Sequence, residues 1–306
     1  MTTPIIISDE VREALERCAP VVALESALIT HGFAYPANLE ITHRMADVIR
    51  AAGALPAVIG VWEGHPTVGL SETQLERLAQ ETAVKISIRD LSLAQLRGLH
   101  GGTTVAATML LAHRAGLQVF ATGGIGGVHR GHPEDISADL PALATTPVIV
   151  VCAGAKAILD LPRTLEFLET WGVPVLGWQT DIFPAFYSRE SGLAIDQRIN
   201  HAAEVAAIYA SQRALELQQG LLVTAPIPAE DEIPAQEIEP LIAQALAEVE
   251  ALGVKGKHVT PHLLARLVAL SETRSRRANE SLLLNNAGVG AQIAVQLASQ
   301  SGTMHL

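Results

Sequence analysis

Short apolar runs recur along the chain at residues 20–24, 55–62, 117–121, 147–152, 173–178 and 221–224. Each has the length of one strand and little polar alternation, as expected of strands covered on both faces. Between them lie stretches with apolar positions at helical spacing: 39–52, 71–80, 103–115, 164–171 and 202–219. Ser71 followed by Gln74 fits a capping box, and Gly53, Gly116, Gly172 and Gly253 stand where helices commonly end. From about Pro234 the pattern turns mostly helical, over 236–252, 261–270 and 278–298. Alternation of this kind predicts an α/β fold, a three-layer α/β/α sandwich around a mixed, largely parallel sheet, with a helical C-terminal part. Residues 225–234 are proline-rich and acidic, yet no shift in composition marks a boundary there, so a single domain over 1–306 is expected.

Composition narrows the classes. With 306 residues and 49% hydrophobic content the chain can bury a large core. A formal charge of −11 argues against a nucleic-acid backbone as main partner. No apolar stretch reaches the roughly 18 residues of a membrane helix, and residues 1–10 lack the pattern of a secretory signal. Cys18 and Cys152 form neither a disulfide framework nor a zinc motif. A cytoplasmic location is the expectation.

Candidate chemistry concentrates after residue 116. An apolar run stops at Gly123, Gly124, Gly126 and Gly127, and His129, Arg130, Asp135 and Asp139 follow closely. Glycine admits positive φ and close approach of a ligand, so a binding loop is expected here. The spacing is not that of a dinucleotide loop, and no Gly-Lys-Ser/Thr follows. Gly101 to Thr104 open a helix and can hold a phosphate or cap that helix. Lys156 stands among small and apolar neighbours, where a lysine either snorkels to solvent or is held as a nucleophile. Glu25 ends an apolar run and fits a salt-bridge partner, a cap or a desolvated general acid. Asp135 and Asp139, four apart, would share a helix face, either as ordinary capping acids or as ligands of a hard cation.

Several blocks together resemble the pseudouridine-5′-phosphate glycosidase family. They are PVVALES at 20–26, GTTVAATM at 102–109, FATGGIGGVHRG at 120–131, DISADL at 135–140 and VCAGAKAILD at 151–160. The likeness continues through GVPVLGWQT at 172–180, PAF at 184–186, PIP at 226–228, TPHLLAR at 260–266 and NNA at 285–287. The resemblance implies reversible cleavage of pseudouridine 5′-phosphate to uracil and ribose 5-phosphate, with a divalent metal, typically Mn²⁺, in a homotrimer. It puts the proton donor on Glu25, the nucleophile on Lys156 and the metal ligand on Asp135. Substrate contacts fall on Lys85, Val105, Ser137, Ala138 and Asp139, with His129 and Asn279 also in the pocket. Such a bond joins carbon to carbon, so protonating a leaving oxygen or nitrogen does not serve, and a two-carboxylate mechanism is the wrong template. A lysine adding at the sugar C1′ suits it better.

Two departures from the family pattern stand out. Only His132, Pro133 and Glu134 separate Gly131 from Asp135, a shorter spacer than usual, and Ala225 replaces an asparagine. A sugar kinase of this size would need a glycine-rich anion hole with a catalytic aspartate near its C-terminus, which the sequence lacks. A metabolite-binding protein without activity would have no use for Glu25 and Lys156 together.

Overall fold

The structure, a computed structural model, describes residues 5–253, 259–271 and 273–303. The strands are β1 (Ile6–Ile7), β2 (Val21–Glu25), β3 (Leu55–Trp62), β4 (His65–Val68), β5 (Val84–Ile86), β6 (Gly101–Thr103) and β7 (Val119–Ala121). They continue as β8 (Val128–His129), β9 (His132–Ile136), β10 (Ile149–Cys152), β11 (Leu159–Asp160), β12 (Val175–Trp178), β13 (Gln197–Ile199) and β14 (Leu221–Thr224). The helices are α1 (Asp9–Glu16), α2 (Ala27–His31), α3 (Ala37–Ala51), α4 (Glu72–Gln80), α5 (Leu91–Leu96) and α6 (Val105–Arg114). After them come α7 (Asp139–Thr145), α8 (Leu161–Thr170), α9 (Ala202–Ala214), α10 (Ala235–Ala251), α11 (Val259–Leu270) and α12 (Arg274–Thr303).

The main sheet runs β1-β4-β3-β2-β7-β10-β14-β12-β13, with β6 also on β3 and β5 on β6. Every pairing from β3 to β13 along this path is parallel; β4 and β6 run antiparallel to β3. The mixed, mostly parallel sheet with helices on its faces is the expected sandwich. All residues of β7, β10 and β14 are buried, as their unbroken apolar runs require. α12 lies across the middle of one face, on β2, β7 and β10, beside α3 and α9. Gly290 permits that approach: a Cβ there would stand 3.3 Å from the Cβ of Ala121. α6 packs on β2, β3 and β7 and against α7. Among the described residues no helix is long and apolar enough to cross a membrane.

The structure moves several expected boundaries. α8 begins at Leu161 rather than 164, because Asp160 caps it by accepting from the Arg163 amide at 3.1 Å. α9 ends at Ala214 instead of running to 219, and Glu216 just beyond has a φ of 55°. The helix expected from 103 starts at Val105, since Gly101–Thr103 is claimed by pairing with β3 and β5. Gly53, Gly116, Gly172 and Gly253 all have positive φ past a helix end, and the Ser71–Gln74 capping box is formed.

Candidate active site

Parallel strands leave a crevice at their C-terminal ends, where open α/β sheets commonly bind ligands. Here β2, β7 and β10 end side by side under a cavity of about 740 Å³. All ten residues singled out above line it: Glu25, Lys85, Val105, His129, Asp135, Ser137, Ala138, Asp139, Lys156 and Asn279. They come from segments more than 250 positions apart at the extremes.

Glu25 is the last residue of β2. The register that sets Leu24 beside Ala121 brings the next residue of the neighbouring strand, Thr122, against it. The Thr122 hydroxyl donates to Glu25 Oε1 at 2.5 Å. Burial raises the Glu25 carboxyl above its usual range. The Lys156 charge is the strongest opposing influence, ahead of the Thr122 bond; Asp139 adds to the rise, and Lys85 counters it. A carboxyl tuned upward inside a cavity beside a lysine suits a proton donor near neutral pH.

The glycine loop that follows β7 is zipped to the loop that follows β10. Thr122 N donates to Val151 O, Ala153 N to Gly123 O, Ile125 N to Gly154 O and Lys156 N to Ile125 O, at 2.9–3.1 Å. That ladder delivers Lys156, four residues past the end of β10, to the cavity. It also changes the reason for the glycines. Gly123, Gly124, Gly126 and Gly127 are absent from the positive-φ positions, so close approach is what they serve. A Cβ on Gly126 would meet Ser137 Oγ at 2.2 Å, and one on Gly127 would meet Thr164 Oγ1 at 2.3 Å.

Asp135 and Asp139 do not share a helix face. Asp135 lies on exposed β9, which pairs with β8, while Asp139 opens α7. Asp139 is buried, and both its oxygens are occupied by main chain: Oδ1 accepts from Ala106 N at 2.9 Å and Oδ2 from Gly126 N at 2.8 Å. It therefore ties the start of α6 to the glycine loop. Ser137 supports it, accepting from the Asp139 amide at 3.2 Å. Thr104 caps α6 through the Ala107 amide at 3.5 Å, which is the capping role open for that segment, and Val105 begins the helix at the cavity wall.

His129 is half-buried on β8. Burial holds its imidazole below the ordinary range; Asp135 pulls upward, while His132 and Lys156 push down. Lys85 sits on β5 and faces the same cavity. Asn279 and Leu283 come from α12 and Phe186 from the loop after β12, closing the space above the glycine loop. Cys152 is buried on β10, which pushes its thiol up to about 12 and leaves it unsuited to nucleophilic work.

Two residues the sequence did not single out support this arrangement. Thr122 holds Glu25, and Asn286 of α12 donates to Thr122 O at 2.8 Å and Gly123 O at 3.3 Å. A buried amide in an otherwise apolar helix face was the available signal. No cluster of three His, Cys, Asp or Glu with metal-ligand geometry occurs among the described residues. Asp135 offers an exposed carboxylate beside the cavity, which fits a cation keeping most of its own waters rather than a closed protein cage.

A family model described as "Indigoidine synthase A like protein" matches residues 10–296. The pseudouridine-5′-phosphate glycosidase of Methylobacterium nodulans is 55% identical over 301 residues, covering 97% of this chain and 89% of that protein. That of Caldanaerobacter subterraneus subsp. tengcongensis is 50% identical, covering 96% of both. Among solved structures, an indigoidine synthase A-like protein from Thermotoga maritima superposes with a TM-score of 0.89 at 38% identity, over 96% of this chain and 97% of that one. The prealnumycin C-glycosynthase AlnA, in complex with ribulose 5-phosphate, gives 0.91 at 38% identity over 99% and 100%.

Proposed function

The chain belongs to the indigoidine synthase A-like family, and on that footing we propose that it reversibly cleaves the C–C glycosidic bond of pseudouridine 5′-phosphate. The products are uracil and ribose 5-phosphate. The observation that carries this reading is the pairing of Glu25, its carboxyl raised by burial, with Lys156 in one cavity.

In the proposed sequence Glu25 gives its proton to the ribose ring oxygen as the C1′–O bond opens. The Lys156 amine, in its neutral form, adds at C1′ and forms a C–N bond. The adduct nitrogen gives up a proton to the ionised Glu25, which passes it to uracil C5 as the C1′–C5 bond breaks, and the freed nitrogen lone pair completes an imine at C1′. Water hydrolyses that imine, releasing ribose 5-phosphate and restoring the amine. Lys85 and the start of α6 at Val105 are suited to the phosphate, a cation beside a helix N-terminus. Asp139 would act by fixing the wall of the pocket, since its oxygens are already engaged. Asp135 would hold Mn²⁺, whose charge would help orient the substrate. Exposed Ile88, Ile136 and Trp171 at the cavity mouth suit burial against further copies in a homotrimer.

Borohydride reduction in the presence of ribose 5-phosphate tests the central step. A reduced sugar-phosphate adduct mapped to Lys156 is expected, and none in the Lys156→Ala variant. Turnover of pseudouridine 5′-phosphate without any trapped lysine would remove the imine from the mechanism.

A further inference from the structure

The turn that carries Lys156 has two sides. The lysine lines the cavity, and the amide side of the turn is held by Lys156 N to Ile125 O at 3.1 Å and Leu159 N to Lys156 O at 3.0 Å. The carbonyls of Ala157 and Leu159 are taken by one guanidinium. Arg130 Nη2 donates to Ala157 O at 2.7 Å, and Nε donates to Leu159 O at 3.0 Å. The rest of the fork meets Glu239 of α10: Nη1 donates to Oε2 at 2.8 Å and Nη2 to Oε1 at 3.0 Å. Arg130 follows His129 directly, so the residue that lines the cavity and the residue that straps the turn are neighbours in sequence.

The bridge of Ala155 to Ile125 and the pairing of Leu159–Asp160 with β8 hold the two ends of the turn, and the stretch between them keeps freedom to pivot. Binding two of its carbonyls to a planar, permanently charged fork removes that freedom in a way a flexible ammonium would not. Glu239 neutralises the guanidinium and anchors it to a separate helix.

We propose that Arg130 is a positioning residue for Lys156, holding its turn so that the amine meets C1′ in line for addition. The inference rests on Lys156 being the nucleophile. Arg130 acts through the main chain and touches no reacting atom. Its loss should reduce turnover without weakening sugar-phosphate binding, because Arg130 forms no bond to β5 or α6, the elements suited to the phosphate.

The test uses full-length wild-type, Arg130→Ala, Arg130→Lys and Lys156→Ala proteins. Steady-state cleavage of pseudouridine 5′-phosphate gives kcat and KM, and timed borohydride quenching gives the rate of adduct formation on Lys156. In Arg130→Ala, kcat should fall by a factor on the order of 10², the scale of misplacing a reacting group by about 1 Å. KM should stay within about threefold, adduct formation should slow in parallel with kcat, and added guanidinium should restore part of it. Arg130→Lys keeps the charge but loses the fork, and should fall between. If Arg130→Ala fails to fold, the lysine variant decides: slowed trapping at unchanged KM supports the proposal, and wild-type trapping overturns it. A folded Arg130→Ala protein that traps sugar at the wild-type rate, or that loses only KM, also overturns it. A wild-type protein that turns over without any lysine adduct overturns the nucleophile assignment and this inference with it.

Discussion

Thr122 and Glu25 meet across two adjacent parallel strands, hydroxyl to carboxylate, at 2.5 Å. The bond favours the ionised acid and so opposes the burial that raises its pKa. Removing the donor with Thr122→Val lets burial act with less opposition, and the Glu25 pKa rises further. A proton donor works while protonated, so the basic limb of kcat/KM against pH should move to higher pH. A limb unmoved, or moved down, would show that Glu25 is not the titrating group.

Glu25 also predicts a conflict between stability and activity. Its folded-state carboxyl lies above the ordinary 4.5. The stability it contributes is fully present below 4.5 and is lost as pH rises through the raised value. Glu25→Gln cannot ionise, so at pH 8 its thermal midpoint should exceed that of wild type, with the gap closing in acid. Turnover should drop by about 10²–10⁴, the usual worth of a general acid. An equal or lower midpoint at pH 8 would contradict the proposed desolvation.

The glycine loop separates two kinds of glycine. Gly126→Ala drives a Cβ to 2.2 Å from Ser137 Oγ and 2.8 Å from Asp139 Oδ2, and should cost about 1–3 kcal/mol by denaturant unfolding. Gly288 lies in α12 with its nearest foreign atom, Val48 Cγ1, at 3.5 Å. Gly288→Ala should therefore gain about 0.5–1 kcal/mol from helix propensity. Similar effects at both positions would refute the packing account.

Metal dependence should run through β9. Asp135→Asn removes the charge offered to a divalent cation and should raise the Mn²⁺ concentration for half-maximal turnover at least about tenfold. Direct Mn²⁺ binding followed by paramagnetic resonance should weaken in step. Unchanged binding would place the ion elsewhere.

What the sequence disclosed follows from how far apart the interacting residues lie. β10 and β14 are buried on both faces, so local composition reveals them without help from any partner. The small sheet β11-β8-β9 was invisible for the opposite reason. All of His132–Ile136 is exposed, and β8 depends on pairing with β11, far along the chain. Read locally, Asp135 and Asp139 suggested one helix; the hairpin overrides that spacing. The blocks around Glu25 and Lys156 were legible as motifs. The support given by Thr122 and Arg130 was not, because their partners Glu25 and Glu239 stand 97 and 109 positions away.

α12 has a consequence for how the protein is made. Synthesis proceeds from the N-terminus, so β2, β7 and β10 leave the ribosome well before the helix that covers their shared face. Until Arg274–Thr303 emerges, Leu282, Leu283 and Ile293 have nothing to offer that face, and the carbonyls of Thr122 and Gly123 lack Asn286. The central strands must therefore wait exposed, a hazard for aggregation, and the pocket is completed by a helix synthesised long after the strands beneath it.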